Sequence, residues 1–228
     1  ELRQGYGLTE TSPVISVNRE NCNNPVTVGQ PIPGLQIRLG DIEELQVKGP
    51  TVMKGYWKRP DATAEVFTED GWFRTGDQAD LSDAGRIRIK GRIKEIIVTS
   101  TGEKIPPTDM ELAIQTDPLF EQVMVVGEAR PFITALAVVN EAEWEKFAKE
   151  FNVDPSDDRM LMRRDIRMAA LKRLKKAASR FPQYGIPRNI RLLKEHWTVD
   201  NGCLTVTMKL RRPIIREKLR AEIDELLS

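Results

Sequence analysis

The sequence predicts an α+β protein in two parts, a β-rich part over residues 1–91 and an α+β part over residues 92–228. Three observations predict it. Between residues 26 and 57, short Val, Ile and Leu runs are punctuated by Pro31, Pro33, Gly34, Gly40, Gly49 and Pro50. Such punctuation marks short strands and tight turns. After Pro106-Pro107 the apolar spacing becomes helical. A chain of 228 residues also has room for two modest domains.

The elements follow in order. Strands are expected near 36–39, 45–48, 87–90 and 95–99, and a helix start near Pro60. Thr108 reads as the cap of a helix over 109–116, with Glu111 three residues on, as in a capping box. The runs 122–127 and 133–140 are strands joined by a turn at Arg130-Pro131. Helices are expected over 141–151 and 157–181. The second carries Leu161, Ile166, Ala170, Leu174 and Ala178 on one stripe. A strand at 190–193 precedes a last helix over 213–227, with Pro213 in its first turn. The boundary between the two parts is expected at Arg92–Lys94.

Composition narrows the function classes. Hydrophobic residues make up 40% and charged residues 30%, the balance of a soluble globular chain. The net charge is +1, −2 over residues 1–91 and +3 over residues 92–228, which does not argue for nucleic acid. No apolar run reaches membrane-spanning length. Two cysteines and one histidine exclude a disulfide framework and a His/Cys metal site. A reducing, cytoplasmic setting is the expectation. The chain opens on Glu1 without Met, and its first residues read as the middle of a longer protein.

Four segments can carry chemistry. In Gly71-Trp-Phe-Arg-Thr-Gly-Asp77, a Thr-Gly turn can hold Asp77 at a strand end. There its carboxylate can accept two hydrogen bonds from a ribose diol. Gly91-Arg92 follows, a step into a new strand, and Arg92 can donate to the same sugar or to a phosphate. In Tyr6-Gly7-Leu8-Thr9-Glu10, the glycine lets backbone approach a ligand. Tyr6 offers a flat face, Thr9 a hydroxyl, and Glu10 a hard oxygen ligand for Mg²⁺. The loop 99–111 centres on Gly102 and opens a helix. The loop 200–212 reads as extended and mobile, delivering Lys209 as a movable point charge for an oxyanion or phosphate. Each segment taken alone also reads as an ordinary turn or loop. The basic helix residues Arg163, Arg164, Arg167, Lys172, Arg173, Lys175, Lys176 and Arg180 read as a solvated face, with peripheral membrane contact or a polyanion site as the alternatives. His196 reads as structural or surface.

The order of these segments resembles the adenylate-forming enzyme superfamily. That superfamily holds acyl-CoA synthetases, luciferases and peptide-synthetase adenylation domains. The segments Phe181-Pro182-Gln183-Tyr184 and Trp197–Thr205 look most like the long-chain fatty-acid–CoA ligases. The resemblance implies the C-terminal β-rich segment of the large AMP-binding domain, followed by the α+β C-terminal lid domain. It implies ATP and Mg²⁺, CoA as co-substrate, and a fatty acid as the acyl donor. It places Tyr6 and Gly7 at the adenine, Thr9 at the phosphate, Glu10 at Mg²⁺, and Asp77 and Arg92 at the ribose. Lys94 matches the hinge, the Gly102 loop the pantetheine channel, and Lys209 the bridge between substrate carboxylate and α-phosphate.

Three departures accompany the resemblance. Val206 replaces a usual Pro, and Glu43 stands where a turn Gly is usual. The Ser/Thr/Gly-rich phosphate loop ending in Pro-Lys-Gly is missing, so the chain is expected to be inactive alone. The alternatives are another acyl- or aryl-CoA ligase, an adenylation enzyme that loads a carrier protein, or a non-catalytic binding module. Glu10, Asp77, Lys94 and Lys209 together argue against the last.

Overall fold

The computed structural model describes residues 2–227 and divides into two compact units, Glu1–Glu95 and Ile96–Ser228. The fold is α+β in both organisation and content.

The first unit is built on antiparallel strands. Strands β1 (Gly5–Gly7), β2 (Val14–Val17) and β3 (Gln30–Pro31) form one small sheet. Strands β4 (Gln36–Leu39), β5 (Glu44–Lys48), β6 (Phe73–Asp80) and β7 (Arg88–Arg92) form a second, in sequence order. Sequential antiparallel pairing needs only short connections, which the Gly- and Pro-rich spacing supplies. The longest, between β5 and β6, carries helix α1 (Pro60–Val66), with Pro60 in its first turn. Ile15, Leu35, Leu45, Val47, Ala79 and Ile87 pack as the core.

The hairpin at 40–44 settles one departure from the family pattern. Ile42 and Glu43 both take left-handed backbone, at φ 53° and 59°. Glu43 therefore keeps the conformation a glycine would adopt freely. Its carboxylate accepts from Lys90 Nζ at 2.9 Å and from Gln78 Nε2 at 3.2 Å, which ties the strained turn to β6 and β7.

The second unit is a mixed sheet with layers on both faces. After the short strands β8 (Ile97–Val98) and β9 (Lys104–Ile105) comes helix α2 (Pro107–Ile114). Strands β10 (Phe120–Val126) and β11 (Thr134–Val139) pair antiparallel, and β12 (Asn189–Leu193) joins β11 in parallel. Between β11 and β12 lie α3 (Glu141–Glu150) and α4 (Arg164–Ala177). Helices α5 (Arg212–Lys218) and α6 (Arg220–Leu227) follow.

Side chains alternate along a strand, so each face of the sheet owns its own core. Val123, Val125, Ala135, Ala137, Ile190 and Leu192 pack against α2, α3 and α4. Met124, Val126, Leu136 and Val138 pack against Trp197, Leu204, Ile215 and Leu226 on the other face. Burial on both faces is why β10 and β11 read as continuous apolar runs.

Several sequence expectations need correction. Thr108 does not cap α2, because Pro107 already occupies its first turn and Pro106 its cap position. The strand expected over 95–99 shrinks to β8, preceded by a 3-10 turn over Ile93–Glu95. The helix expected over 157–181 is interrupted. A 3-10 turn, Asp158–Met162, ends where Arg163 takes extended backbone, and α4 starts afterwards. The last helix is kinked at Leu219 into α5 and α6, with Leu219 turned into the core. Strands β1 and β2 lacked an expectation, being too short for their alternation to register.

Candidate functional site

Asp77 sits inside β6 rather than at a turn. The strand carries a wide bulge. Gln46 of β5 pairs with Arg74, and Glu44, two residues earlier, pairs with Gln78 four residues later. Gly76 absorbs the extra length at φ 72°, a conformation costly for residues with a Cβ. The bulge preserves alternation, so Phe73, Thr75, Asp77 and Ala79 are all buried. A carboxylate thus lies on the core side of the sheet, only 4% exposed.

A buried carboxylate needs partners. Tyr6 Oη donates to Asp77 Oδ2 at 2.5 Å, and Arg92 Nε lies 3.2 Å from Oδ1. Arg92 is the direct cross-strand partner of Asp77 in the β6–β7 ladder. Gly91-Arg92 therefore ends β7 instead of starting a strand. Burial, reinforced by the Asp77 charge and hydrogen bond, pushes the Tyr6 phenol far above its ordinary range. The phenol stays protonated and keeps donating.

Tyr6 is placed by β1, which pairs with β2. Gly7 is needed there because a Cβ would meet the Pro13 carbonyl oxygen at 1.7 Å. The close approach that the sequence suggested for a ligand is made to the chain's own backbone. Thr9 and Glu10 follow on a 3-10 turn, Thr9–Thr11. Thr9 is exposed. Glu10 is half-buried and accepts from Tyr56 Oη at 2.9 Å. Burial and then this bond raise the Tyr56 phenol. Among the described residues no cluster of three or more His, Cys, Asp or Glu could hold a metal. Glu10 is one hard donor. A Mg²⁺ there would take its other ligands from phosphate oxygens and water, its usual manner beside polyphosphates.

Lys94 is exposed in the 3-10 turn Ile93–Glu95, beside the division between the units. The first unit thus brings Tyr6, Asp77 and Arg92 into direct contact. It also pairs Glu10 with Tyr56.

In the second unit, Gly102 crowns a tight loop. Its amide donates to the Thr99 carbonyl, and Glu103 N donates to Thr99 Oγ1. Gly102 has φ 84°, and a Cβ there would meet nothing within 4 Å. The loop therefore presents bare backbone to open space.

The Lys209 segment is not an extended loop. Leu204 and Leu210 bridge, Thr205 N donates to the Lys209 carbonyl, and Lys209 N donates to Thr205 Oγ1. Met208 closes the turn at φ 61°. These bonds make a tight hairpin with Val206, Met208 and Lys209 exposed at its tip. Local hydroxyl-to-backbone bonding by Thr205 replaces the rigidity that the usual proline would give.

The basic helix is a partly anchored solvated face. Arg173 binds Asp117 through two nitrogens, and Arg163 pairs with Asp165. His196 Nε2 lies 3.2 Å from Glu121 Oε1 at the surface. No described helix is long and apolar enough to cross a membrane.

Comparison with known proteins gives a consistent picture. The AMP-binding enzyme family matches residues 1–57, and the AMP-binding enzyme C-terminal domain matches residues 94–185. A long-chain fatty acid–CoA ligase, FadD15 of Mycobacterium bovis, is 36% identical over 100% of this chain and 38% of its own length. A chloroplastic long-chain fatty acid–[acyl-carrier-protein] ligase of Arabidopsis thaliana, AEE15, is 33% identical over 100% of this chain and 32% of its own length. The A-PCP didomain of the Segniliparus rugosus carboxylic acid reductase, in complex with AMP, superposes with a TM-score of 0.78. It is 26% identical and covers 99% of this chain and 31% of that one. The chain spans about a third of the length of these relatives.

Proposed function

The chain belongs to the AMP-binding enzyme family, the adenylate-forming enzymes, and on that footing we propose that it serves a long-chain fatty acid–CoA ligase. In the first step a fatty-acid carboxylate oxygen attacks the α-phosphorus of ATP and pyrophosphate leaves. In the second the CoA thiol gives up its proton and its sulfur attacks the acyl carbon. AMP departs and a thioester remains.

The observation that carries this reading is the Tyr6–Asp77–Arg92 cluster. Asp77 is a buried carboxylate held in place by Tyr6 and Arg92, so accepting a ribose diol needs little reorganisation. Arg92 is half exposed and can also reach the sugar. The Tyr6 ring offers a face to adenine, with Gly7 beside it, and Thr9 offers its hydroxyl to the α-phosphate. Glu10 supplies one Mg²⁺ ligand. Lys209, on its hairpin, neutralises charge between the carboxylate and α-phosphate in the first step. The bare backbone at Gly102 suits a thin pantetheine arm in the second. Lys94, beside the division of the units, is the pivot at which the backbone change would be absorbed.

A second reading shares the first step and differs in the thiol. The 33% identity to a carrier-protein ligase favours a protein-bound pantetheine as acceptor. The test is an enzyme carrying this chain, given radiolabelled fatty acid, ATP and either CoA or a holo carrier protein. Label on CoA supports the first reading, and label only on the carrier supports the second. No fatty-acid-dependent exchange of pyrophosphate into ATP overturns both. Residues 1–228 alone are expected to show no such exchange, since this sequence holds no Pro-Lys-Gly phosphate loop.

A further inference from the structure

The second unit contains a buried ion pair that none of the roles above uses. Arg212 Nη1 and Nη2 donate to Glu111 Oε1 and Oε2 at 2.7 and 2.6 Å. The side chains are 14% and 6% exposed. Glu111 Oε1 also accepts from the amide of Val125 at 2.7 Å. This two-pronged geometry is the strongest that arginine and a carboxylate make.

Its place in the fold gives it meaning. Strand β10 is at the edge of its sheet, and Val125 donates outward from that edge to Glu111. Glu111 belongs to α2, which packs on one face through Met110 and Ile114. Arg212 begins α5, which packs on the other face through Ile215. The pair therefore wraps the sheet edge and joins the two layers. Each partner also adjoins a loop. Lys209 lies just before Arg212, and Arg211 N closes the hairpin neck by donating to the Cys203 carbonyl at 2.8 Å. The Gly102 loop leads through β9 directly into α2.

We propose that Glu111 and Arg212 are positioning residues: their pair clips the Lys209 hairpin, around the β10 edge, to the helix that follows the Gly102 loop. The two loops then keep a fixed relation within this unit. Hydrophobic packing alone would hold the layers together, but it is not directional and would let the hairpin root shift. A two-pronged charge pair fixes both distance and angle. The functional meaning rests on the roles proposed for Lys209 and Gly102, while the clip itself does not.

Amide hydrogen exchange on this chain tests the clip. Glu111→Gln keeps the size and an acceptor for Val125 but removes the charge. Arg212→Lys keeps the charge but removes the second prong. In both, the amides of Thr205, Lys209 and Arg211 are expected to exchange about tenfold faster, while Leu136 and Val138 in β11 stay unchanged. Unchanged hairpin amides overturn the proposal. So does a uniform rise that includes β11, since that marks general stability alone. In an enzyme carrying the chain, Glu111→Gln is expected to lower kcat for adenylation and leave KM for ATP in place. If exchange rises locally and kcat does not move, the clip stands and its bearing on the Lys209 step falls.

Discussion

The two units present their candidate chemistry in opposite ways. In the first, Asp77 is buried, bonded to Tyr6 and Arg92, and aimed by a bulge in the middle of a strand. In the second, Lys209 is exposed at the tip of a hairpin, and Gly102 is bare backbone facing open space. The difference suits the roles proposed for the two groups. A carboxylate that accepts two hydroxyls gains most from being fixed beforehand. A lysine proposed to act in only one of two steps gains from standing clear of its own unit.

The greatest loss is expected from a change at Asp77. Asp77→Ala leaves the buried Tyr6 hydroxyl without its acceptor and removes the proposed acceptor for the ribose. Melting of this chain should show a loss of about 1–3 kcal/mol. In an enzyme carrying the chain, both half-reactions should slow about a hundredfold, since two charge-assisted hydrogen bonds are lost. Stability unchanged together with full activity would break the contrast at its fixed end.

Next is Gly76→Ala. Nothing lies within 4 Å of the new Cβ, so the cost is the left-handed backbone alone, about 1–2 kcal/mol by chemical denaturation. Weaker nucleotide binding should accompany it, because the bulge aims Asp77. Tyr6→Phe comes third. It removes one hydrogen bond to a carboxylate while keeping the ring, and should cost about 1.5 kcal/mol in the same unfolding assay. The smallest is Met208→Gly, which relieves the left-handed turn at the hairpin but adds unfolded-state freedom. A net gain of about 0.5 kcal/mol is expected from its melting curve.

These variants also mark what was legible in the sequence. Asp77, Arg92 and Tyr6 could be singled out because their residue types suit a sugar and a purine. Their contact was not legible, since 71 residues separate Tyr6 from Asp77. The Thr-Gly pair looked like a turn because a glycine between polar residues usually ends a strand. Only the β5 register reveals Gly76 as a bulge inside one. Strands β10 and β11 were readable from their apolar runs. Glu111 was misread as a local cap, because its true partner lies 101 residues away. Local signals find caps and turns, and they are blind to a charge pair closed by the tertiary fold.

The proposed roles divide the labour: Asp77 would serve the nucleotide in both steps and Lys209 only the first. The most direct measurement follows the two half-reactions separately in Lys209→Ala of an enzyme carrying this chain. Pyrophosphate exchange is predicted to fall about 10²–10³-fold. Thioester formation from supplied acyl-adenylate is predicted to stay within about twofold of the parent. Equal loss of both half-reactions would contradict the account.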